Sequence, residues 1–155
     1  MKRDKEEEKA LVEIRLSVTE MLIAVSIKKP KNSSELSDTF GRCEYFSVYD
    51  SKNNVSEFIQ NPYSSELGRA GIQSARFLIE MKIEAVITSF IGLNTLRFFN
   101  SLKVKVYRCI NYTAQESLGL YFDNKLKEIT ASKIEQFPQR RKNVLEEKCF
   151  KNRYN

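Results

Sequence analysis

Residues 69–94 read RAGIQSARFLIEMKIEAVITSFIGLN, and the fold turns on this stretch. Ile72, Ala75, Leu78 and Ile79 recur at helical spacing and give a helix with one apolar stripe. Ala85-Val86-Ile87 is a short unbroken apolar run, the kind buried on both faces of a parallel sheet. Thr88-Ser89-Phe90-Ile91-Gly92 must then turn the chain into a second helix carrying Leu93, Leu96 and Phe99. Both helices begin at a glycine. A strand that ends in small polar residues before a helix start is where open α/β sheets place ligands.

Working outward, Met21 to Ile27 (MLIAVSI) is a strand apolar enough to be central, followed by a polar loop from Lys28 to Thr39. Tyr45 to Tyr49 and Val55 to Gln60 form two more strands, joined by a hairpin turn at Asp50-Ser51-Lys52-Asn53-Asn54, where asparagine tolerates left-handed backbone. Val104 to Tyr107 is a further strand. Thr113-Ala114-Gln115-Glu116 has capping-box form and starts a last helix, with Ala114, Leu118 and Tyr121 on its buried side and Asp123-Asn124-Lys125 at its end. The order is β-β-β-α-β-α-β-α, a hairpin joined to two crossover units. Right-handed crossovers make this an α/β fold, a mixed five-stranded sheet with helices on both faces.

At 155 residues the chain is one domain with tails, and 41% hydrophobic content supplies a core. We divide it into a charged extension over 1–20, a domain over 21–130 and a basic tail over 131–155. Val12, Ile14, Leu16 and Val18 alternate with polar residues as in an edge strand, although Leu11, Ile14 and Val18 fit a helix face equally well. No apolar run approaches the roughly 18 residues that span a bilayer, and MKRDKEEEK is not a secretory leader. The expectation is a soluble, cytoplasmic protein without a membrane partner. Of the net charge of +6, the tail carries +4. Such a tail can contact nucleic acid, but a short solvated tail is the commoner case.

The chain has no histidine, which removes the usual zinc ligand, the Ser-His triad and the commonest general base. The carboxylates do not converge on MLIAVSI as two-metal phosphodiester cleavage requires. Gly68-Arg69-Ala70-Gly71 lacks the spacing of a dinucleotide fingerprint, and no phosphate-binding P-loop is present. With no acid–base constellation, the chain reads as a binder and not an enzyme. Cys43, Cys109 and Cys149 form no CxxC and no disulfide framework. Cys43 and Cys109 are either exposed thiolates suited to iron or copper, or small buried hydrophobes, and lone cysteines are more often the latter.

Backbone amides offer a better case. Helix starts near Ala70-Gly71 and Gly92 would present unpaired N–H groups and a positive dipole end. Glycine permits close approach, Thr88, Ser89 and Asn94 add donors, and Arg42 and Arg69 add charge. The competing reading is that the glycines only close turns and the arginines are solvated, and composition favours it.

Taken in order, these segments resemble the dinitrogenase iron–molybdenum cofactor biosynthesis family, the NifX-like domains also found at the C-terminus of NifB. The resemblance runs through Leu36-Ser37-Asp38-Thr39-Phe40-Gly41-Arg42-Cys43, Arg69-Ala70-Gly71-Ile72, Val86-Ile87-Thr88, Gly92-Leu93-Asn94, Val104-Lys105-Val106-Tyr107 and Thr113 to Leu118. It covers about residues 21–130. It implies a ribonuclease H-like domain that carries an anionic iron–sulfur or iron–molybdenum cluster precursor without catalysis, with cluster-assembly proteins as partners. The implied cluster-binding residues are Phe40, Gly41, Arg42, Arg69, Ala70 and Gly71, with Thr88, Ser89, Gly92 and Asn94 from the turn, and Cys43 is the soft metal ligand. The chain departs from the family pattern at three places. Thr39 stands where histidine is usual, and Arg69 and Ser89 replace glycines. The alternative function is a cluster-free regulatory or interaction module that contacts nucleic acid through the tail.

Overall fold

The structure is a computed structural model and describes residues 21–135. The strand or helix expected near 12–18, Cys149 and the basic tail from 136 onward lie outside the described residues. A single mixed sheet runs β3-β2-β1-β4-β5-β6. Its strands are β1 (Leu22–Ile27), β2 (Tyr45–Asp50), β3 (Val55–Gln60), β4 (Ala85–Thr88), β5 (Lys105–Arg108) and β6 (Lys127–Ile129). Helices α1 (Ala70–Glu80), α2 (Leu93–Ser101) and α3 (Ala114–Phe122) connect them, and a short α4 (Ala131–Glu135) follows β6.

β1 is central, as its apolar run requires. It pairs antiparallel with β2 (Ile27 opposite Tyr45) and parallel with β4 (Ala24 opposite Val86). β4 pairs parallel with β5, Thr88 opposite Arg108. The period of two along each strand sorts side chains between two cores. Ala24, Phe46, Val86 and Val106 face Ala75, Leu78, Leu96 and Phe99 of α1 and α2. Ile23, Val25, Ile27 and Ile87 face Ala114 and Leu118 of α3. Each fully buried Val, Leu, Ile or Phe among them contributes about 1.5–3 kcal/mol.

The sheet has six strands, not the five expected. β6 pairs antiparallel with β5, Val106 opposite Ile129. It reads Lys-Glu-Ile, too short and too charged to show a strand period. The tail expected to begin at 131 starts instead with α4.

Three helix ends share one device. Lys82, Lys103 and Asn124 take positive φ, and the next residue's amide bonds back across the turn: Ile83 to the Leu78 carbonyl, Val104 to Phe99 and Lys125 to Leu120. Each ending sends the chain directly into the next strand, so the starts of α1, α2 and α3 fall at the opposite end of the sheet. The loop before β2, the loop after β3 and the turns after β4 and β5 therefore gather at the carboxyl end of β1, where ligands bind in such sheets. No described helix is long and apolar enough to cross a membrane.

Candidate functional site: a basic cleft at the carboxyl end of the sheet

Phe40 anchors the first wall. Its ring is buried between Phe46 and Phe99, with centroids 5.6 and 5.3 Å away. Its amide donates to the Phe90 carbonyl at 2.8 Å, tying the loop to the turn after β4. Gly41 then lies directly on the start of α1. A Cβ there would sit 2.6 Å from the Gly71 nitrogen, and a Cβ on Gly71 would collide with Thr95 Oγ1 of α2. Loop, α1 and α2 are thus stacked through Gly41, where backbone leaves no room for a Cβ, and through Gly71, where the Thr95 hydroxyl stands in its place.

A buried amide fixes this stack. Asn61, just past β3, donates through Nδ2 to the Cys43 carbonyl (3.0 Å) and to Ser74 Oγ (3.1 Å), and its Oδ1 accepts from the Tyr63 amide at 3.1 Å. Ser74 Oγ donates onward to the Gly41 carbonyl at 3.1 Å. Every polar atom in this group has a partner, so the cluster holds the loop without an unmet buried donor.

The stacked segments border two adjoining open cavities of about 300 and 580 Å³, which share Arg69, Gly71, Gly92 and Thr95. Arg42 lines the first and Arg97 the second, and no carboxylate lines either. The starts of α1 and α2 both border this space, and no side chain caps either end. Three guanidinium-bearing residues and two uncapped helix starts make the cleft a place for a negative charge.

Arg69 is the unusual member. It is the N-cap of α1 with φ 53° and ψ 11°, left-handed backbone that costs a non-glycine residue about 1–2 kcal/mol. Gly68 before it also has positive φ, 74°. Arg69 is exposed, and a cation at a helix N-terminus gains nothing from the dipole.

Of the residues expected from the sequence, the structure brings Phe40, Gly41, Arg42, Arg69, Ala70, Gly71, Gly92 and Asn94 to this cleft. Three others go elsewhere. Thr88 is fully buried with Oγ1 2.8 Å from Ser26 Oγ, because its strand position points it into the core. Ser89 donates to the Ser37 carbonyl and lines a different cavity. Cys43 is fully buried, and desolvation pushes its thiol up to about 12 despite the Asn61 hydrogen bond, so it is a protonated core residue at neutral pH and not an exposed thiolate. Cys109 is buried too and is pushed up to about 12 by desolvation and then by the Glu116 charge. Among the described residues no group of His, Cys, Asp and Glu is arranged to hold a metal.

The sequence reading missed Thr95 and Arg97, one helical turn inside α2, where Arg97 Nη1 donates to Asn94 Oδ1 at 3.4 Å. Their signal was the spacing from Gly92: positions three and five on from a helix N-cap border its open end. It also missed Arg108, a buried arginine whose Nε donates to the Ser89 carbonyl at 3.3 Å and holds the turn after β4.

A third cavity, of about 290 Å³, lies across the ridge made by residues 36–40 and the turn after β4. Glu35, Asp38 and Glu116 line it together with Lys28. It opens toward the α3 side, bounded by Thr113 at the start of α3, whose capping box closes through Glu116 N to Thr113 Oγ1 (3.2 Å) and Thr113 N to Glu116 Oε1 (3.1 Å).

These features define an α/β domain with a basic cleft, and comparison with known proteins says of which kind. The sequence model of the dinitrogenase iron–molybdenum cofactor family matches residues 21–124, and the chain belongs to that family. It is 28% identical over 106 residues to an uncharacterized protein of Methanocaldococcus jannaschii, covering 66% of this chain and 90% of that one. A Thermotoga protein assigned as NifB is 30% identical with a TM-score of 0.64, over 71% of this chain and 94% of that one. The apo orange protein of Desulfovibrio gigas shares the fold, with a TM-score of 0.68 at 20% identity over 71% of this chain and 93% of its own. Family and neighbours point to accessory proteins of the nitrogenase cofactor.

Proposed function

We propose that the domain is a non-enzymatic carrier that holds an anionic iron–sulfur or iron–molybdenum cluster precursor in the basic cleft and exchanges it with cluster-assembly proteins. The observation that carries this reading is the charge of the cleft walls: Arg42, Arg69 and Arg97 with no carboxylate among the lining residues. The family supports the ligand class, and the strand order β3-β2-β1-β4-β5 supports the ribonuclease H-like description of the sheet. Amides and guanidinium groups fit the outer surface of an anionic cluster, whose charge they meet through hydrogen bonds. With Cys43 and Cys109 protonated and buried, the cleft itself supplies that hold.

Anaerobic reconstitution with ferrous iron and sulfide, with and without molybdate, tests the proposal by metal analysis and visible absorption. Coloured protein with bound metal is expected. Gly92 takes ordinary extended backbone and its Cβ direction is open space, so Gly92→Phe fills the cleft without straining the fold. That variant should keep its melting temperature and lose the metal. Arg42→Ala should weaken binding about tenfold, the worth of one charge-assisted hydrogen bond, whereas Cys43→Ser should still bind. Colourless wild-type protein after careful reconstitution, or full loading of Gly92→Phe, would refute the cleft as cargo site.

A further inference from the structure

Arg69 occupies a position the backbone does not suit, and the cleft explains what it does there. It is the N-cap of α1 in left-handed conformation, a geometry that glycine adopts freely and asparagine tolerates. Its charge stands at the positive end of the helix dipole. Among the described residues it makes no side-chain capping bond and no salt bridge. Two local terms therefore oppose an arginine at this position, and nothing in the fold of the described residues offsets them. Yet Arg69 is on the wall shared by both cavities, between Arg42 at one end and Arg97 at the other. Lys82 and Lys103 take the same backbone, but at helix C-termini; a cation held so at a helix start, on the wall of a basic cleft, points to a function for its side chain.

We infer that Arg69 is the charge-selecting residue of the cleft: it makes the site prefer a multiply charged anion that reaches into both cavities over a singly charged one of the same shape. The inference rests on the basic cleft being the cargo site. Arg42 lines only one of the cavities and Arg97 only the other. Arg69 alone adds its charge to both. Because Coulomb energy scales with ligand charge, removing it takes about twice the binding energy from a dianion as from a monoanion.

Tetrathiomolybdate and tetrathioperrhenate test this, being tetrahedral metal–sulfur anions of similar size with charges of −2 and −1. Their affinities are measured by equilibrium dialysis for the unaltered protein, Arg69→Gly, Arg69→Asn and Gly92→Phe, alongside melting temperatures without ligand. Both Arg69 variants should melt higher by about 2–4 °C, as the left-handed cost is relieved. Both should bind the dianion about tenfold more weakly and the monoanion about threefold more weakly. Asparagine keeps the chain stiffer than glycine, so agreement between the two variants assigns the loss to charge and not to a loosened helix start. Equal losses for the two anions would overturn the charge-selecting role, and so would unchanged affinities. Melting temperatures that fall in both variants would overturn the claim that the backbone disfavours arginine. If Gly92→Phe abolishes binding while the Arg69 variants keep it, only this inference fails. If the unaltered protein binds neither anion, the cargo reading fails and takes this one with it.

Discussion

The two clefts at the carboxyl end of the sheet lie back to back and are built in opposite ways. The basic cleft has packed backbone at its base, with Gly41 on the Gly71 backbone and Gly71 on the Thr95 side chain, leaving no room for a methyl group at Gly41. The acidic cleft is walled by side chains, the capping box of Thr113 and Glu116 and the pair of Lys28 with Glu35. A wall of packed backbone cannot adjust, so the spacing between its helix starts is set before a ligand arrives. A wall of exposed side chains is free to rearrange. The lesson is that the rigid cleft, not merely the charged one, is the place to look for selective binding.

The largest expected effect comes from breaking the rigid wall. Gly41→Ala would press a methyl group against the Gly71 backbone at 2.6 Å, where no rotamer can relieve it. Overpacking of this kind costs about 3 kcal/mol. Urea denaturation should show that loss, together with loss of metal binding as the loop Phe40–Cys43 lifts from α1. A loss under about 1 kcal/mol would mean the backbone stack yields, and the contrast between the clefts would disappear.

The same contrast shows which parts of the molecule could be read in the sequence. β1 to β5 and the three long helices were legible because each carries an unbroken apolar run, a period of two or a helical stripe. The turn at Asn54 and the capping box at Thr113 were legible because their geometry is set by side chains a few residues apart. β6 was not, since three residues with two charges have no period. Strand ends and helix starts of this topology converge, which is why Arg42, Arg69, Gly71, Gly92 and Asn94 lie together with Gly41, a position that entered through the family resemblance. Thr88 and Ser89 were misplaced because a strand's alternation runs past its last residue and turns one inward and the next to the far side. The burial of Cys43 agrees with the commoner reading of a lone cysteine, a small core residue, rather than with the metal ligand that the resemblance implies. Of the two readings of the glycines, close approach to a ligand or the closing of turns, the packing of Gly41 and Gly71 against protein agrees with the second, which composition favours.

An intermediate effect separates the cysteines, one in the core on each side of the sheet. Burial raises the Cys43 thiol from 9.0 to about 12. Below pH 9 both folded and unfolded chains hold the proton and the contribution to stability is complete. Between pH 9 and 12 only the folded chain holds it, so stability falls as pH rises, by up to about 1.4 kcal/mol per pH unit. Urea midpoints measured from pH 8 to 11 should therefore fall less steeply for Cys43→Ala than for the unaltered protein. Cys109 differs in its second cause, the charge of Glu116. Glu116→Gln should lower the Cys109 thiol while leaving Cys43 unmoved, read by thiol absorbance in single-cysteine variants. A shift of Cys43 in that variant would mean the two sides of the sheet are electrostatically joined.

The smallest effect tests the soft wall. Lys28 Nζ lies 3.3 Å from Glu35 Oε2, but the side chains are 45% and 76% exposed. Water and salt screen such a pair, and holding two long side chains together costs rotamer freedom. Glu35→Gln should change stability by less than about 0.5 kcal/mol at moderate salt. It should also leave anion binding in the basic cleft unaltered, because Glu35 lies beyond the ridge of residues 36–40. Chemical denaturation and dialysis against tetrathiomolybdate check both points. A gain in anion affinity would show that the carboxylates of one cleft are felt in the other, through a ridge only a few residues thick. The rigid cleft would then owe part of its selectivity to its soft neighbour, and the charge of both walls, rather than of one, would set what the domain carries.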